Sequence, residues 1–600
     1  MKTSKNMTNL EVAELLRDIA ASYELQNASA NKFKIIAYEK AADSVEHATS
    51  ELKDLWEEGK LDEIAGIGPS IQEHLNEIFT TGKSKHFDEL TKNIPPIVFE
   101  LMKIPGIGVK TAMKLVSALK IKSLDDLKKA AEENKIAGLE GFGEESQTRI
   151  LKSLEEYKTK APSRMLLPFA VDLADEIIAW MKKEKSVERI EPLGSLRRKV
   201  ATIGDIDFAV SSTLPKKVIE HFIKYPKAIR VIENGERTGG IILPGNIRVD
   251  LMACKPEAYG ALLQHFTGGK NHNVALREYA LKKNLSLSDY GIYTKPGDTS
   301  SLKEIATEEE FYKFIGMEWI PPELREDEGE IQRALLQAEG KLPRLPNLVE
   351  LKDIKGDLHI HSDLDIETSH DLGATSMKDM AKRAIEKNYE YIAFTEHNPS
   401  KSKHTANQIV EILKRKREIV DKLNYSIKKE YKNRVFKVFN SLEIDILPDG
   451  SLPVPLDGLE TLDFALVSIH SSFDQSKEKM TERVLKAFNN PKVKIFSHPT
   501  ARKLNERKGI DLDWEKIFEE CVKRNIWLEI NSDPARIDLP DILVHVAVKK
   551  GILMTIDTDS HHIDHMEGTK WGVSVARRGW AEAKDVANTR SLKDFEKLLS

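Results

Sequence analysis

Ile203-Gly-Asp-Ile-Asp-Phe-Ala-Val210 and, further along, Ile247-Arg-Val-Asp-Leu-Met-Ala253 alternate in the period of two that marks a strand. Asp205 and Asp207 are two apart, so both side chains leave one face. Asp250 lies on the second strand, its apolar neighbours facing the other way. Carboxylates converging on one sheet face repel unless cations sit between them. Two magnesium ions answer that repulsion, and a two-metal site clamps the attacking and leaving oxygens of phosphoryl transfer. Asp-x-Asp alone would fit a solvated strand face as well, so the neighbours decide.

Gly194-Ser195-Leu-Arg-Arg198 precedes the first pair and offers a small turn, a hydroxyl and guanidinium groups suited to a triphosphate. His265-Phe-Thr-Gly-Gly-Lys-Asn-His-Asn-Val-Ala-Leu-Arg277 follows the second strand. Upstream, the first 160 residues read as helices, with apolar positions at helical spacing in 10–20, 35–48 and 71–79. Glycine turns interrupt them at Ile64-Ala-Gly-Ile-Gly68, Ile104-Pro-Gly-Ile-Gly108 and Leu139-Glu-Gly-Phe-Gly143. Gly66, Gly68, Gly106, Gly108, Gly141 and Gly143 would leave backbone N–H groups pointing outward at helix N-termini, an arrangement that holds phosphate without a side chain. One copy would be an ordinary helix end and turn; a degenerate repeat is a stronger signal.

Downstream, 340–350 holds two prolines and reads as a linker. Beyond it, seven apolar runs alternate with helical stretches, which means parallel βα units. The runs end in Asp357-Leu-His-Ile-His361, Glu396-His397, Glu443, His470, His498, Asn531 and Asp557-Thr-Asp-Ser-His561. Polar groups at the C-terminal ends of such strands are where a barrel places its active site. A single strand histidine is more often structural or solvated than a ligand. His359, His361, His397, His470, His498 and His561, with Glu443 and Asp559, are hard to place there by chance, and neutral imidazoles suit zinc or manganese.

The chain has 600 residues, too long for a single core, with 40% hydrophobic and 31% charged residues. Lysine and arginine total 91 against 96 acids, so a uniformly basic coat is absent and nucleic acid would be held by local patches or backbone amides. The two cysteines, Cys254 and Cys521, make no metal or disulfide framework, which points to a reducing compartment. No apolar run approaches a membrane span, and a soluble cytoplasmic monomer without a membrane partner is the expectation.

The motifs from about residue 4 to 330 resemble, in order, those of family X DNA polymerases, the family of DNA polymerase beta. The resemblance implies gap filling in base excision repair on gapped or primer-template DNA, with deoxynucleoside triphosphates as substrates. It implies that Asp205 and Asp207 hold both magnesium or manganese ions, and that Asp250 shares the catalytic one and helps take the primer 3′-hydroxyl proton. Gly194, Ser195, Arg198 and Gly204 would lie at the triphosphate, with Phe266 and Gly268 at the sugar. Lys270 and Asn273 would meet the nucleotide, and Arg277 the template side. His265 stands where the family often has tyrosine, which puts sugar discrimination in question. The lysines of the family's lyase members fall on His74 and Ser70, and amine chemistry needs an amine, so no such lyase activity is expected.

The last part resembles the polymerase and histidinol phosphatase (PHP) family, which implies a manganese or zinc cluster on the eight residues named above and 3′–5′ exonuclease or phosphoesterase activity. The usual Ser-Asp-Gly is replaced by a longer Ser362-to-Gly373 segment, in which His370 or Asp371 would supply a ninth ligand. Glu396 stands where aspartate is usual, and Arg502 is either a phosphate contact or a solvated loop residue. The implied architecture is multidomain α+β. It has helix-hairpin-helix domains over 1–85 and 86–160, a nucleotidyltransferase palm with a mixed sheet over 161–257, and a thumb over 258–335. A linker over 336–352 and a distorted (β/α)7 barrel over 353–600 complete it. The competing reading is a PHP nuclease or phosphatase carried on an inactive polymerase-like platform; the intact carboxylates oppose it.

Overall fold

The computed structural model describes residues 7, 9–46, 52–57, 61, 67–104, 107–139, 141–143, 146–148, 150–151, 154 and 164–599. Gly66 and Gly106 lie outside the described residues. The chain divides into two compact units, 1–163 and 164–600.

The first unit is helical. Its helix Pro69–Thr81 shows how the sequence sets the element: Gly68 is the cap, Pro69 starts it, and Gly82 ends it in the left-handed region at φ 83. Ile71, Leu75, Ile78 and Phe79 recur on one face and are buried. They join a core running from Met7 to Phe87, while Ile97 to Leu154 build a second core together with Ala21.

The second unit opens with a mixed sheet. Its strands are β1 (Arg189–Pro192), β2 (Ile206–Ser211), β3 (Arg230–Asn234), β4 (Thr238–Leu243) and β5 (Ile247–Cys254), in the order β1-β2-β5-β4-β3. Only β2 and β5 run parallel, with Asp207 opposite Asp250; the other pairs are antiparallel. Helices Tyr259–Thr267, Lys270–Lys282 and Glu308–Ile315 follow, with three short strands between the last two.

Parallel strands β6 (Gly356–Ile360), β7 (Tyr391–Phe394), β8 (Lys437–Asn440), β9 (Glu443–Asp445), β10 (Ala465–Ser468), β11 (Val493–Phe496), β12 (Trp527–Asn531) and β13 (Met554–Asp557) alternate with helices. They form sheets β6-β7-β8 and β9-β10-β11-β12-β13. A parallel bridge from His397 to Glu443 joins the sheets on one side, and one from Ile360 to Ser560 joins them on the other, so the ring closes. The third of the seven runs read from the sequence is broken into β8 and β9. The helices start on side-chain caps, such as Ser376 and the Thr405–Gln408 capping box.

The segment read as a linker over 336–352 is not a loose tether. It begins inside helix Glu330–Ala338, and Leu348 and Val349 are buried, Val349 N–H donating to the carbonyl of Ala581. Two prolines marked irregular backbone, but Leu348 and Val349 are apolar enough to pack. The thumb core takes in Trp580 from the far end of the chain, and the core of the mixed sheet is continuous with that of the barrel.

Glu396 is also explained. It lies in the barrel wall, with Oε1 accepting from Ser362 Oγ at 2.6 Å and Oε2 2.9 Å from Nζ of Lys416, both partners fully buried. Burial alone would raise the Glu396 carboxyl, and Lys416 and Ser362 together bring it below its usual range. The longer side chain turns away from the histidines toward a lysine on helix Ala406–Glu430. Removing one partner of a buried pair leaves an uncompensated charge. Lys416→Met is expected to cost ~3–5 kcal/mol, and adding Glu396→Leu to recover most of it; melting temperatures of the three proteins check this.

Candidate functional site

Two clusters of ionisable groups lie in the second unit. In the first, the β2–β5 register sets Asp207 beside Asp250. The run read as one strand over 203–210 breaks at Gly204 and Asp205, and Asp205, exposed just before β2, is near enough for its charge to act on both. Burial, then the Asp205 and Asp250 charges, hold the Asp207 carboxyl well above its usual range. Asp250 is raised by burial, against the pull of Arg248, whose Nε lies 2.5 Å and Nη2 3.2 Å from its carboxylate. Adjacent buried carboxylates that resist ionisation fit divalent cations, which would supply the missing charge. Arg248 escaped the sequence reading although its spacing from Asp250 gave the face away.

Gly194 has φ 55, and a Cβ on it would stand 3.1 Å from Asp207 Oδ2. Glycine is needed here both for the left-handed backbone and for space beside the carboxylate. It opens the short helix Gly194–Arg197, which carries Ser195. Arg197 is spent on Glu308, with 2.9 and 2.8 Å bonds to its two oxygens, and Glu308 also binds the buried Arg325. Arg198 lies against Thr267 and Glu326. Gly204 is exposed at the entry to β2.

Phe266 ends helix Tyr259–Thr267, and Gly268 and Gly269 connect it to helix Lys270–Lys282. Lys270, Asn273 and Arg277 are spaced along one face of that helix. The Asn273 amide donates to the carbonyls of His265 and Gly268, at 2.9 and 3.4 Å, so it braces the turn. Burial, then Arg277, push the His265 imidazole down to about 3, which keeps it neutral.

In the first unit, Gly68 and Gly108 cap helices Pro69–Thr81 and Val109–Leu119 with no side-chain cap, leaving their first N–H groups to other partners. Gly141 has φ 82, and the Gly143 carbonyl accepts from the Gln147 N–H. His74 stacks on His86 with ring centroids 4.6 Å apart, and burial, then His86, lower its pKa.

The second cluster fills the C-terminal mouth of the barrel. Glu443 is central: Oε2 lies 3.3 Å from His359 Nε2, 3.4 Å from His361 Nε2 and 3.1 Å from His397 Nδ1. Oε1 lies 2.8 Å from His498 Nε2 and 3.3 Å from His470 Nε2. Asp559 Oδ1 is 3.4 Å from His359 and 3.3 Å from His361, and His561 stacks on His361 at 4.2 Å. All eight residues read from the sequence meet here. Burial opposes charge on Glu443, yet His397, His470 and His359 hold it well below the usual range. His361 Nδ1, Glu443 Oε2, His498 Nδ1 and His561 Nε2 are buried with no aligned hydrogen bond. His361, His397 and His561; His359, His361 and Asp559; and His397, Glu443 and His470 each bring ligand atoms within 4.8 Å of one another, a spacing that fits divalent ions.

The Ser362-to-Gly373 loop leaves the strand and returns with Gly373, whose Cβ position would lie 2.2 Å from the His361 carbonyl oxygen. Its tip brings Asp371 3.5 Å from both His397 Nε2 and His561 Nε2. His370 instead binds Asp445 at 2.9 Å, and Asp445 binds His470 Nδ1 at 2.8 Å.

Three residues of this mouth were not read from the sequence. Asp445 and Glu529 orient histidines of the cluster, Glu529 accepting from His359 Nδ1 at 2.6 Å and from the His498 N–H at 2.6 Å. Arg536 lines the roughly 740 Å³ cavity, its Nε and Nη1 buried without hydrogen-bond partners and Nε 3.5 Å from Asp559. Arg502 donates from Nε and Nη2 to the carbonyls of Arg536 and Ile537. It braces the segment that presents Arg536.

Family models match over 7–84 (a helix-hairpin-helix domain), 98–156 (a SAM-like helix-hairpin-helix tandem), 262–326 (DNA polymerase beta thumb) and 357–533 (PHP domain). The chain is 35% identical over 599 residues to DNA polymerase/3′-5′ exonuclease PolX of Bacillus subtilis, covering 99% of each. It is 26% identical over 300 residues to DNA polymerase lambda of Arabidopsis thaliana, covering 44% of this chain and 53% of that one. For DNA polymerase lambda of Rattus norvegicus the identity is 23% over 351 residues, covering 53% and 56%. With a carboxylate cluster on a mixed sheet, a polymerase beta thumb and a PHP barrel in one chain, this protein belongs to the PolX family, the family X DNA polymerases that carry a C-terminal PHP domain.

Proposed function

We propose that the chain is a gap-filling repair polymerase whose PHP domain shortens 3′ ends. The observation that carries the synthetic half is the side-by-side placement of Asp207 and Asp250 with Asp205 at their edge. Asp205 and Asp207 would hold both magnesium or manganese ions, with Asp250 sharing one. Bound there, the ions would stabilise the attacking and leaving oxygens of nucleotidyl transfer. Asp250 would receive the primer 3′-hydroxyl proton, and Arg248 would keep it oriented. Ser195 and Arg198 would grip the triphosphate, and Phe266 and Gly268 would face the sugar. Lys270 would meet the nucleotide and Arg277 the template side, while Asn273 holds the turn between them. Gly68, Gly108, Gly141 and Gly143, with Gly66 and Gly106 of the same turns, would present backbone N–H groups to DNA phosphates. His74 lacks the aliphatic amine of Schiff-base chemistry, so the first unit would grip the 5′ side of a gap without lyase activity.

The barrel's eight converging side chains would hold a manganese or zinc cluster, with Asp371 as the ninth ligand because it reaches both His397 and His561. Ions there would lower the pKa of a bound water for attack on a phosphodiester. Arg536, buried with unused donors beside Asp559, would take the charge building on the phosphoryl oxygens. The cavity's remaining wall includes Pro168 and Asp172 of the polymerase half. No described helix is long and apolar enough to cross a membrane.

Asp205→Ala is expected to abolish extension of a 5′-labelled primer on gapped DNA while sparing its shortening without nucleotides, and His359→Ala to do the reverse. Loss of both activities from either change would refute two separate sites. Shortening should run faster in manganese than in magnesium while extension proceeds in both; equal shortening rates would count against the cluster assignment. Arg536→Met should slow shortening about 100-fold with synthesis unchanged, read from single-turnover rates on the same substrate.

A further inference from the structure

Arg198 does not stand free in the nucleotide pocket. Its Nε donates to Glu326 Oε1 at 2.9 Å, and its Nη1 to the Thr267 carbonyl at 2.8 Å. The same Oε1 accepts from Nη1 of Arg578 at 2.9 Å, and that Nη1 lies 3.0 Å from the Arg198 carbonyl. Arg578 belongs to the PHP half, in the last turn of helix Thr569–Arg578, and is fixed there by Asp541 at 2.6 Å. The other oxygen of Glu326 lies over Gly269, where a Cβ would stand 2.6 Å away. Gly269 caps the N-terminus of helix Lys270–Lys282. A carboxylate thus sits between a guanidinium and a helix N-terminus, surroundings that equally suit a phosphate oxygen.

We propose that Glu326 is an internal anion occupying the triphosphate's place on Arg198, and that Arg578 of the PHP domain keeps hold of it when the nucleotide arrives. The proposal rests on the reading of Arg198 as a triphosphate ligand. Two guanidiniums share this one carboxylate. An incoming triphosphate must take Arg198 from Glu326, and Arg578 leaves the displaced carboxylate neutralised. Without Arg578, Glu326 would depend on Arg198 alone and compete harder. Glu326 and Arg578 are therefore positioning residues: they set how tightly nucleotide binds and leave the transfer step alone. Arg197 differs in that two of its nitrogens bind both oxygens of Glu308, a buried carboxylate, whereas Arg198 makes a single bond to the more exposed Glu326.

The test is steady-state primer extension by the full-length protein, measuring KM for dNTP and kcat separately. Glu326→Gln is expected to lower KM about three- to tenfold, a range kept modest because the pair is partly exposed. Arg578→Gln should raise KM by a similar factor. The double variant should match Glu326→Gln alone, since Arg578 acts through the carboxylate. kcat should change little in all three. Primer shortening without nucleotides reports whether the barrel is intact; if Arg578→Gln loses it, Glu326→Gln alone decides. Arg198→Ala separates the two levels. If it raises KM while Glu326→Gln raises KM or leaves it unmoved, Glu326 is a brace for Arg198 and the proposal falls, with the triphosphate reading intact. If Arg198→Ala leaves KM unchanged, the reading of Arg198 falls and takes the proposal with it.

Discussion

Like charges held close together are the constraint on which the second unit depends. Parallel pairing of β2 and β5 places Asp207 opposite Asp250, and nothing in the pair itself relieves the repulsion. Arg248 neutralises one carboxylate only. The fold tolerates this because the strands are fixed by an apolar core on the opposite face, where Phe208, Leu251 and Val249 are buried. On the carboxylate face, Ala209, Met252 and Cys254 join a second buried cluster, so apolar packing on both faces holds the strands while the charge imbalance is confined to the strand ends.

The barrel meets the same constraint with imidazoles. Glu443 touches five histidines, so its two oxygens work as a bridge between groups of ligands. Asp445 and Glu529, behind them, bind the Nδ1 atoms of His470 and His359, and so fix which nitrogen these two histidines turn to Glu443. Lys416 and Glu396 form a separate pair in the wall, one residue from His397. Burying that pair keeps an extra carboxylate out of the mouth. Aspartate could not span the distance to Lys416 so readily, which gives the longer side chain a physical reason.

The parts of this design set by short periods were legible in the sequence. Period two put Asp207 and Asp250 on neighbouring strands, though not Asp205, which precedes its strand, and the recurrence of βα runs placed the histidines at strand ends. Arg248 and Asp445 obeyed the same period and were overlooked because each sits beside a more conspicuous acid. Other features depend on chain segments far apart in sequence and had no local signal. Arg502 follows His498-Pro in sequence, and the carbonyls that it binds come from a loop after the next strand. The prolines at 343 and 346 suggested a tether, whereas Val349 is buried against Ala581, which no local pattern announces.

That packed connection changes what the fusion of two enzymes means physically. Arg577 binds Glu323 at 2.7 Å and the Val349 carbonyl at 3.2 Å, and Arg578 binds Glu326, so consecutive residues of one barrel helix hold the thumb. The same helix begins at Thr569, and Lys570 in its first turn lines the cavity at the barrel mouth. At 1.5 Å per residue, its ten residues span about 15 Å. A rigid element of that length has one end at each site, and a helix transmits displacement along its axis better than a loop does. Trp580, just beyond it, is built into the thumb core and prevents the end from swinging free. The thumb and the barrel mouth therefore share a structural member, and a change in charge at Arg198 and Glu326 acts on the element that also walls the barrel cavity.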